Sequence, residues 1–189
     1  DLDGAAKIEV VAGDAGPALR VVREVGSSRV EQDLELPVDG RALRITTRVD
    51  WHERQKLLKL AFPLDVHADR ATSEIQFGHV HRPTHTNTSW DHARFETVAH
   101  RWVHVGEPGF GVAVANDSTY GHDITATRVD DTRDGRDSAT GTTVRLSLLR
   151  APKFPDPDAD QGEHELRCEL VVAAGIDDAI RHGYALNLP

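Results

Sequence analysis

The stretch Leu166-Arg167-Cys168-Glu169-Leu170-Val171-Val172 alternates between two faces, with Leu166, Cys168, Leu170 and Val172 on one of them. Successive side chains of a β-strand point to opposite faces of the sheet, so this alternation is typical of a strand with one buried face. The stretches 43–49 and 144–149 show the same alternation. The remaining strands are predicted over residues 7–12, 19–25, 29–36, 58–66, 71–80, 95–105, 110–115 and 124–129.

Turn-forming residues separate these stretches, at 13–17, 39–40, 107–109 and 134–137. Strands that follow one another every ten to twelve residues or so, joined by polar turns, are typical of a sandwich or barrel. We therefore predict an all-β fold, a large antiparallel β-sandwich, over residues 1–175. Residues 176–189 are predicted to form one short helix and a connecting segment, since Asp177 and Asp178 stand where a helix start favours acids.

The chain has 189 residues and a net charge of −9. An acidic balance argues against nucleic acid and anionic membranes as partners, because both attract clustered Lys and Arg. No apolar run approaches the roughly 20 residues that span a bilayer. Cys168 is the only cysteine, which excludes an internal disulfide and fits a reducing compartment, so we expect a cytoplasmic protein. The chain lacks both a methionine and a signal peptide, and we expect it to be part of a longer protein.

Two long segments without alternation, 82–93 and 151–163, are predicted to be ordered loops. Loops of this length are uncommon in compact domains unless they serve a function or dock on another surface. Trp90, in the first loop, is the one aromatic residue that is attractive for stacking on a sugar ring. The interpretation favoured for Trp90 is nevertheless an anchor of the loop.

The eleven histidines raise the question of a metal site. His79 and His81 flank one residue of a predicted strand and would share a face, as metal ligands do, but no second half of a cupin-type pattern follows. His100 and His104 are interpreted as structural, and the spacing of acids in 156–160 departs from a calcium loop. Cys168 is interpreted as a core residue.

The polar cluster 116–123 follows an apolar strand and leaves two interpretations open. Asn, Asp, Ser and Gly are common turn formers, so the cluster is either a tight turn or a strand-end loop that faces a ligand.

Taken in order, a series of short strings resembles the C-terminal β-sandwich region of glycoside hydrolase family 38 α-mannosidases, in their bacterial and cytosolic branch. The resemblance runs through nearly the whole chain. The matching strings are residues 49–54, 57–59, 61–66, 74–78, 82–85, 87–90, 93–96, 116–121, 147–152, 155–156, 159–162, 164 and 184–189.

This resemblance implies a supersandwich of the galactose-mutarotase-like type and a parent enzyme that is a retaining, zinc-dependent, exo-acting α-mannosidase. In that family the Asp nucleophile and the zinc ligands belong to an N-terminal α/β domain and a helical segment, and neither region is present here. We therefore expect no catalytic residue, no metal ligand and no cofactor in this chain, with zinc bound elsewhere in the parent. The expected partners are those missing domains and α-mannosides, with a homo-oligomer of the parent also possible.

The resemblance also places Asp117, Tyr120 and Arg150 at the edge of the substrate pocket. It places a further three residues next to them: Asp160, Gln161 and His164. Thr119 stands where many relatives have a longer basic residue, which weakens the case for ligand contact by its loop. Two other functions stay open, a non-catalytic carbohydrate-binding module and a cupin-like metal-binding barrel.

Overall fold

The computed structural model describes residues 4–38, 40–129 and 139–188, and within them the chain is built almost entirely from antiparallel strands. The strands are β1 Lys7–Ala12, β2 Pro17–Val25, β3 Ser28–Glu35, β4 Ala42–Trp51, β5 Leu58–Leu64, β6 Arg70–Ile75, β7 Gly78–Pro83, β8 Thr97–Val98, β9 Trp102–Glu107, β10 Phe110–Asn116, β11 Gly121–Val129, β12 Ala139–Leu149 and β13 Gly162–Val172. The helices are α1 Ser89–Ala93 and α2 Ile176–Asn187.

These strands form two sheets, which confirms the predicted antiparallel β-sandwich. The larger sheet has the order β1-β2-β3-β4-β13-β10-β9-β6-β7, and the smaller has the order β5-β12-β11-β8. Strand β13, which contains the alternating stretch 166–172, lies in the middle of the larger sheet between β4 and β10.

The main core fills the space between the two sheets. Val112, Val114 and Cys168 reach it from the larger sheet, and Val144 and Leu146 from the smaller one. Burying each such side chain stabilises the fold by about 1.5–3 kcal/mol. Cys168 is 6% exposed, which confirms its prediction as a core residue, and burial raises the pKa of its thiol to about 12.

Helix α2 covers the opposite face of the larger sheet. Ala113 and Val171 alternate with the core-facing residues of their strands and pack instead against Ala179 of the helix. The approach is close, since a Cβ on Gly183 would lie 2.7 Å from Cδ1 of Trp102. The acidic start of the helix is confirmed, because Asp178 accepts a hydrogen bond from the Gly175 N–H at 3.0 Å, which lowers the pKa of Asp178.

Two of the predicted strands are wrong as single elements. Residues 71–80 form a hairpin of β6 and β7, which turns at Gln76 and Phe77, and Phe77 has a φ of 63°. Residues 95–105 are divided between β8 and β9, which belong to different sheets. The chain crosses between the sheets where the Ala99 N–H donates to Tyr120 O and the His100 N–H donates to Glu74 O.

The predicted loops need smaller corrections. The loop 82–93 contains the extra helix α1, which Thr88 caps by accepting a hydrogen bond from the Asp91 N–H at 3.1 Å. Trp90 is 76% exposed on α1, so the interpretation as a loop anchor is wrong. The loop 151–163 ends at Gly162, where β13 begins. The predicted turn 134–137 lies outside the described residues.

Candidate functional site

Loops from both sheets meet at one end of the sandwich, called the loop end below. Strand β11 begins there at Gly121, which pairs with Val98, while β12 ends there at Leu149, which pairs with Leu58 at the start of β5. The loops of this end are residues 52–57, 94–101, 117–120 and 150–161. Five of the six residues predicted at the pocket edge lie in these loops, and His164 is the third residue of β13, which follows the last of them.

Asp160 fixes the backbone at the beginning of the loop 150–161. Its Oδ2 accepts hydrogen bonds from the N–H groups of Arg150 and Ala151, both at 2.9 Å. Burial alone would raise the pKa of Asp160, but these two donors and nearby positive charges outweigh burial and lower it. Ala151 and Asp160 both have left-handed backbones, with φ values of 45° and 61°, so the loop adopts a restricted conformation.

The guanidinium group of Arg150 is left exposed by this arrangement. It has no hydrogen bond or ion pair with any described residue. Asp160 binds only the backbone N–H of Arg150. Arg150 therefore presents five free donors from a backbone that is held in place.

Gln161 and His164 tie the same loop to its neighbours. Gln161 Nε2 donates to Glu53 O at 2.9 Å, and His164 Nε2 donates to Asp160 O at 3.1 Å. Arg54 reaches across from the loop 52–57 and binds Asp158 Oδ1 at 2.8 Å. Gln161 and His164 thus support the shape of the loop, and their contact with a substrate stays a prediction.

Asp117 and Tyr120 lie at the loop that follows β10. Asp117 Oδ1 accepts a hydrogen bond from the Arg167 N–H at 3.0 Å, which extends the pairing of β10 with β13. Tyr120 is 61% exposed and its ring lies edge-on to His100, with centroids 5.8 Å apart. Asn116 Oδ1 accepts a hydrogen bond from the Thr119 N–H, so the cluster 116–123 does form a tight turn. That turn leaves Tyr120 free to face a ligand while it buries Thr119.

Arg150 and Asp160 line a groove of about 960 Å³ that runs over the outer face of the smaller sheet. Its walls include Phe95 and Phe154, which are 78% and 86% exposed. The other predicted residues do not line this groove, so the structure brings together only two of the six here.

Charged side chains that the sequence analysis missed form the floor of this groove and its continuation along the sheet. Lys59 Nζ lies 2.7 Å from Glu96 Oε2 and 2.5 Å from Asp123 Oδ2. Arg145 Nη1 binds Asp123 Oδ1 at 2.7 Å. Burial alone would lower the pKa of Lys59, but the two carboxylates raise it and hold the amine charged. Of these side chains, the sequence signalled only Arg145, on the polar face of β12, where residues 143, 145 and 147 alternate with apolar core residues.

The histidines considered as metal ligands are paired or dispersed. The rings of His79 and His81 have centroids 5.4 Å apart, and His81 Nδ1 lies 3.0 Å from Thr72 Oγ1. His104 Nε2 donates to Ala174 O at 2.8 Å, which supports its structural interpretation. In residues 4–38, 40–129 and 139–188, no group of three or more His, Cys, Asp or Glu side chains is arranged to hold a metal ion.

Neither described helix has the length and apolar character that crossing a membrane requires.

Comparison with known proteins connects this geometry to a family. The model of the glycosyl hydrolases family 38 C-terminal domain matches residues 2–158. Human alpha-mannosidase 2C1 is 44% identical over 180 residues, which cover 94% of this chain and 16% of that protein. Alpha-mannosidase G of Dictyostelium discoideum is 38% identical over 165 residues, 86% of this chain and 14% of that protein.

A solved structure gives the same fold. The crystal structure of an alpha-mannosidase from Enterococcus faecalis V583 superposes with a TM-score of 0.75 over 97% of this chain and 24% of that one. At 13% identity this likeness concerns the fold alone. The chain spans 14–16% of the length of the two curated relatives.

Proposed function

Because this chain belongs to the glycosyl hydrolases family 38 C-terminal domains, we propose that it is the C-terminal domain of a larger α-mannosidase. The parent enzyme would be a retaining, zinc-dependent glycosidase that removes terminal α-linked mannose. The proposal is supported by relatives that are named alpha-mannosidases and are several times longer than this chain.

The chemistry of the parent enzyme is assigned to the domains outside this chain. The described residues do not fit a zinc ion, since they offer no group of three or more ligands. Zinc, the nucleophile and the main binding determinants for mannose would therefore come from other parts of the polypeptide. The contribution of this chain is to pack against those parts and to form a wall of the substrate pocket.

Exposed aromatic rings at the loop end and at the turn between β6 and β7 support the packing role. Phe77, Phe95 and Phe154 are all largely exposed. A surface that exposes several large apolar side chains is typical of an interface with another domain. The long loops 82–93 and 151–163 would then lie against the catalytic part of the enzyme.

Arg150 is the observation that carries the role in the pocket wall. Its free guanidinium stands at the rim of the groove while Asp160 holds its backbone. Hydroxyl groups of a sugar are oriented well by charge-assisted hydrogen bonds, and a fixed guanidinium provides them with defined geometry. Arg150 would bind ground state and transition state of the mannoside from outside the catalytic domain.

The test is Arg150→Ala in the full-length enzyme, with hydrolysis of an aryl α-mannoside as the readout. We expect kcat/KM to fall about 10- to 100-fold, the effect of losing one charge-assisted hydrogen bond of about 1.5–3 kcal/mol. Arg70→Ala is the matched control. Arg70 is exposed like Arg150, but it lies at the start of β6, away from the loop end towards which that strand runs. An unchanged kcat/KM for Arg150→Ala would remove Arg150 from the pocket.

A second candidate function is sugar binding by this chain itself. Trp90 favours it, since its indole is 76% exposed and available for stacking on a sugar ring. Titration of the chain with mannose-containing glycans would then reveal binding that Trp90→Ala abolishes. Equal binding by both proteins, or no binding at all, would reject this candidate.

A further inference from the structure

A second cavity, of about 660 Å³, lies beneath the segment that carries α1. Arg82 of β7 lines it together with Arg94, and its apolar lining includes Phe95 and Ile124. It is distinct from the groove beside Arg150, although Phe95 borders both.

Arg82 points from an edge strand towards the inside of the sandwich. It pairs with Ala71 of β6, and opposite residues of an antiparallel pair share a face of the sheet. Ala71 belongs to the main core, so Arg82 lies on the core-facing side. Inward-pointing charges are common on edge strands, where they prevent association, but such a charge normally reaches water.

The Nη1 atom of Arg82 reaches neither water nor an acceptor. It is buried, and no described residue accepts a hydrogen bond from it. A buried polar atom without a partner costs about 1–3 kcal/mol, and more when the group is charged. Burial first and the charge of Arg94 second lower the pKa of Arg82, and no carboxylate offsets the burial of the Arg82 guanidinium.

The two carboxylates at this cavity are already engaged elsewhere. Asp91 binds the hydroxyl and the N–H of Thr88 at the start of α1, and the charges of His85 and Arg94 further lower its pKa. Asp123 binds Lys59 and Arg145 on the outer face of the smaller sheet. Neither neutralises Arg82, in a protein whose overall charge is −9.

We propose that this cavity binds an oxyanion, a carboxylate or phosphate group, whose oxygens accept hydrogen bonds from Arg82 and Arg94. The planar fork of a guanidinium matches such oxygens in pairs, and the ligand would rest its apolar part on Phe95 and Ile124. Mannose is uncharged, so this site is separate from the mannoside pocket proposed above. The anion is either a small solute or an acidic side chain from another part of the longer polypeptide.

The first experiment titrates inorganic phosphate, and separately acetate, into this chain at constant ionic strength. Binding is followed by the Nε–Hε resonances of arginine and by the thermal unfolding temperature. We expect a saturable response that weakens at least 10-fold in Arg82→Gln and in Arg94→Gln. Arg70→Gln is the control, since it removes the same charge at the first residue of β6, which does not line this cavity.

Arg94 is exposed, so Arg94→Gln should not disturb the fold and keeps the test independent of folding. Far-UV circular dichroism reports whether each variant is folded. A response that is absent in the unsubstituted chain, or equal in all variants, would overturn the proposal.

The second experiment repeats the phosphate titration on the longer polypeptide and identifies the source of the anion. If phosphate still binds through Arg82, the ligand is a small solute. If phosphate no longer binds while Arg82→Gln lowers the unfolding temperature and Arg70→Gln does not, the ligand is an acidic side chain of the protein. If phosphate does not bind and Arg82→Gln has no selective effect, the first result is contradicted and the proposed site is overturned.

Discussion

Asp160 Oδ2 lies 2.9 Å from the backbone nitrogen of Arg150, ten residues earlier in the chain, and leaves the guanidinium of Arg150 unbound. The same oxygen accepts the N–H of Ala151 at 2.9 Å. The carboxylate therefore fixes the path of the backbone at the rim of the groove, and the exposed side chain of Arg150 is directed by that path.

The first prediction concerns this carboxylate. Asp160→Ala leaves two backbone N–H groups without their acceptor, so we expect the free energy of unfolding to fall by about 1–3 kcal/mol. Asp160→Asn keeps one acceptor oxygen and should cost less. Chemical denaturation of both variants measures the difference. Equal stability of Asp160→Ala and the unsubstituted chain would mean that the loop does not depend on Asp160.

The second prediction concerns acid stability and Asp33. The guanidinium of Arg20 binds both carboxylate oxygens of Asp33, at 2.7 and 2.8 Å, and with Arg48 it lowers the pKa of Asp33 to about 2. A carboxyl whose folded pKa lies below its unfolded value of about 3.9 stabilises the fold above that value. This contribution is lost as the pH falls from about 4 towards 2.

Asp33→Asn should therefore lower the stability at pH 7 and flatten its decline below pH 4. Asp69→Asn is the control, because the side chain of Asp69 is 90% exposed. Urea unfolding at a series of pH values provides the curves. The idea fails if the two variants have curves of the same shape.

The third prediction concerns His122, which lies buried between the sheets. Its Nδ1 lies 3.2 Å from Tyr120 O, and burial lowers the pKa of His122 to about 4. The unfolded chain takes up this proton near pH 6.5, so stability is complete above that value and declines between about 6.5 and 4. A histidine NMR titration should give a midpoint near 4 for His122, whereas a midpoint near 6.5 would show that burial does not govern its charge.

The fourth prediction concerns the contact between α2 and the larger sheet. In Gly183→Ala the new Cβ would lie 2.7 Å from Cδ1 of Trp102, so the helix must shift outwards. Overpacking of this kind costs about 1–3 kcal/mol, measured as a lower free energy of unfolding. Gly78→Ala is the matched control, since its Cβ would meet no atom within 4 Å. Equal losses in the two variants would contradict close packing of α2.

Sequence patterns predicted best where one face of a strand is buried over its whole length. Strand β4 has this property, since Ile45, Thr47 and Val49 are buried on one face, and it is found where the alternation of 43–49 placed it. The stretch 71–80 was predicted as one strand because its turn at Gln76 and Phe77 lacks proline. In that turn a phenylalanine adopts the left-handed φ that glycine usually supplies. In 95–105 the alternation continues although the chain crosses from one sheet to the other.

The candidate site was predictable only in part. The resemblance placed Arg150 and Asp160 together, and both line the groove beside the exposed Phe154. The pairing of Lys59 with Glu96 and Asp123 joins three separate elements, so it depends on sheet order and not on any local pattern. Likewise, the isolation of Arg82 arises because the segment with α1 closes over β7, which no spacing in the sequence encodes.

The most direct test of the central claim is hydrolysis of an aryl α-mannoside by this 189-residue chain and by the longer polypeptide, each with and without a zinc chelator. We expect activity only in the longer polypeptide, and its loss on chelation. Activity of the 189-residue chain alone would contradict the account, because it would require a complete catalytic site within these residues.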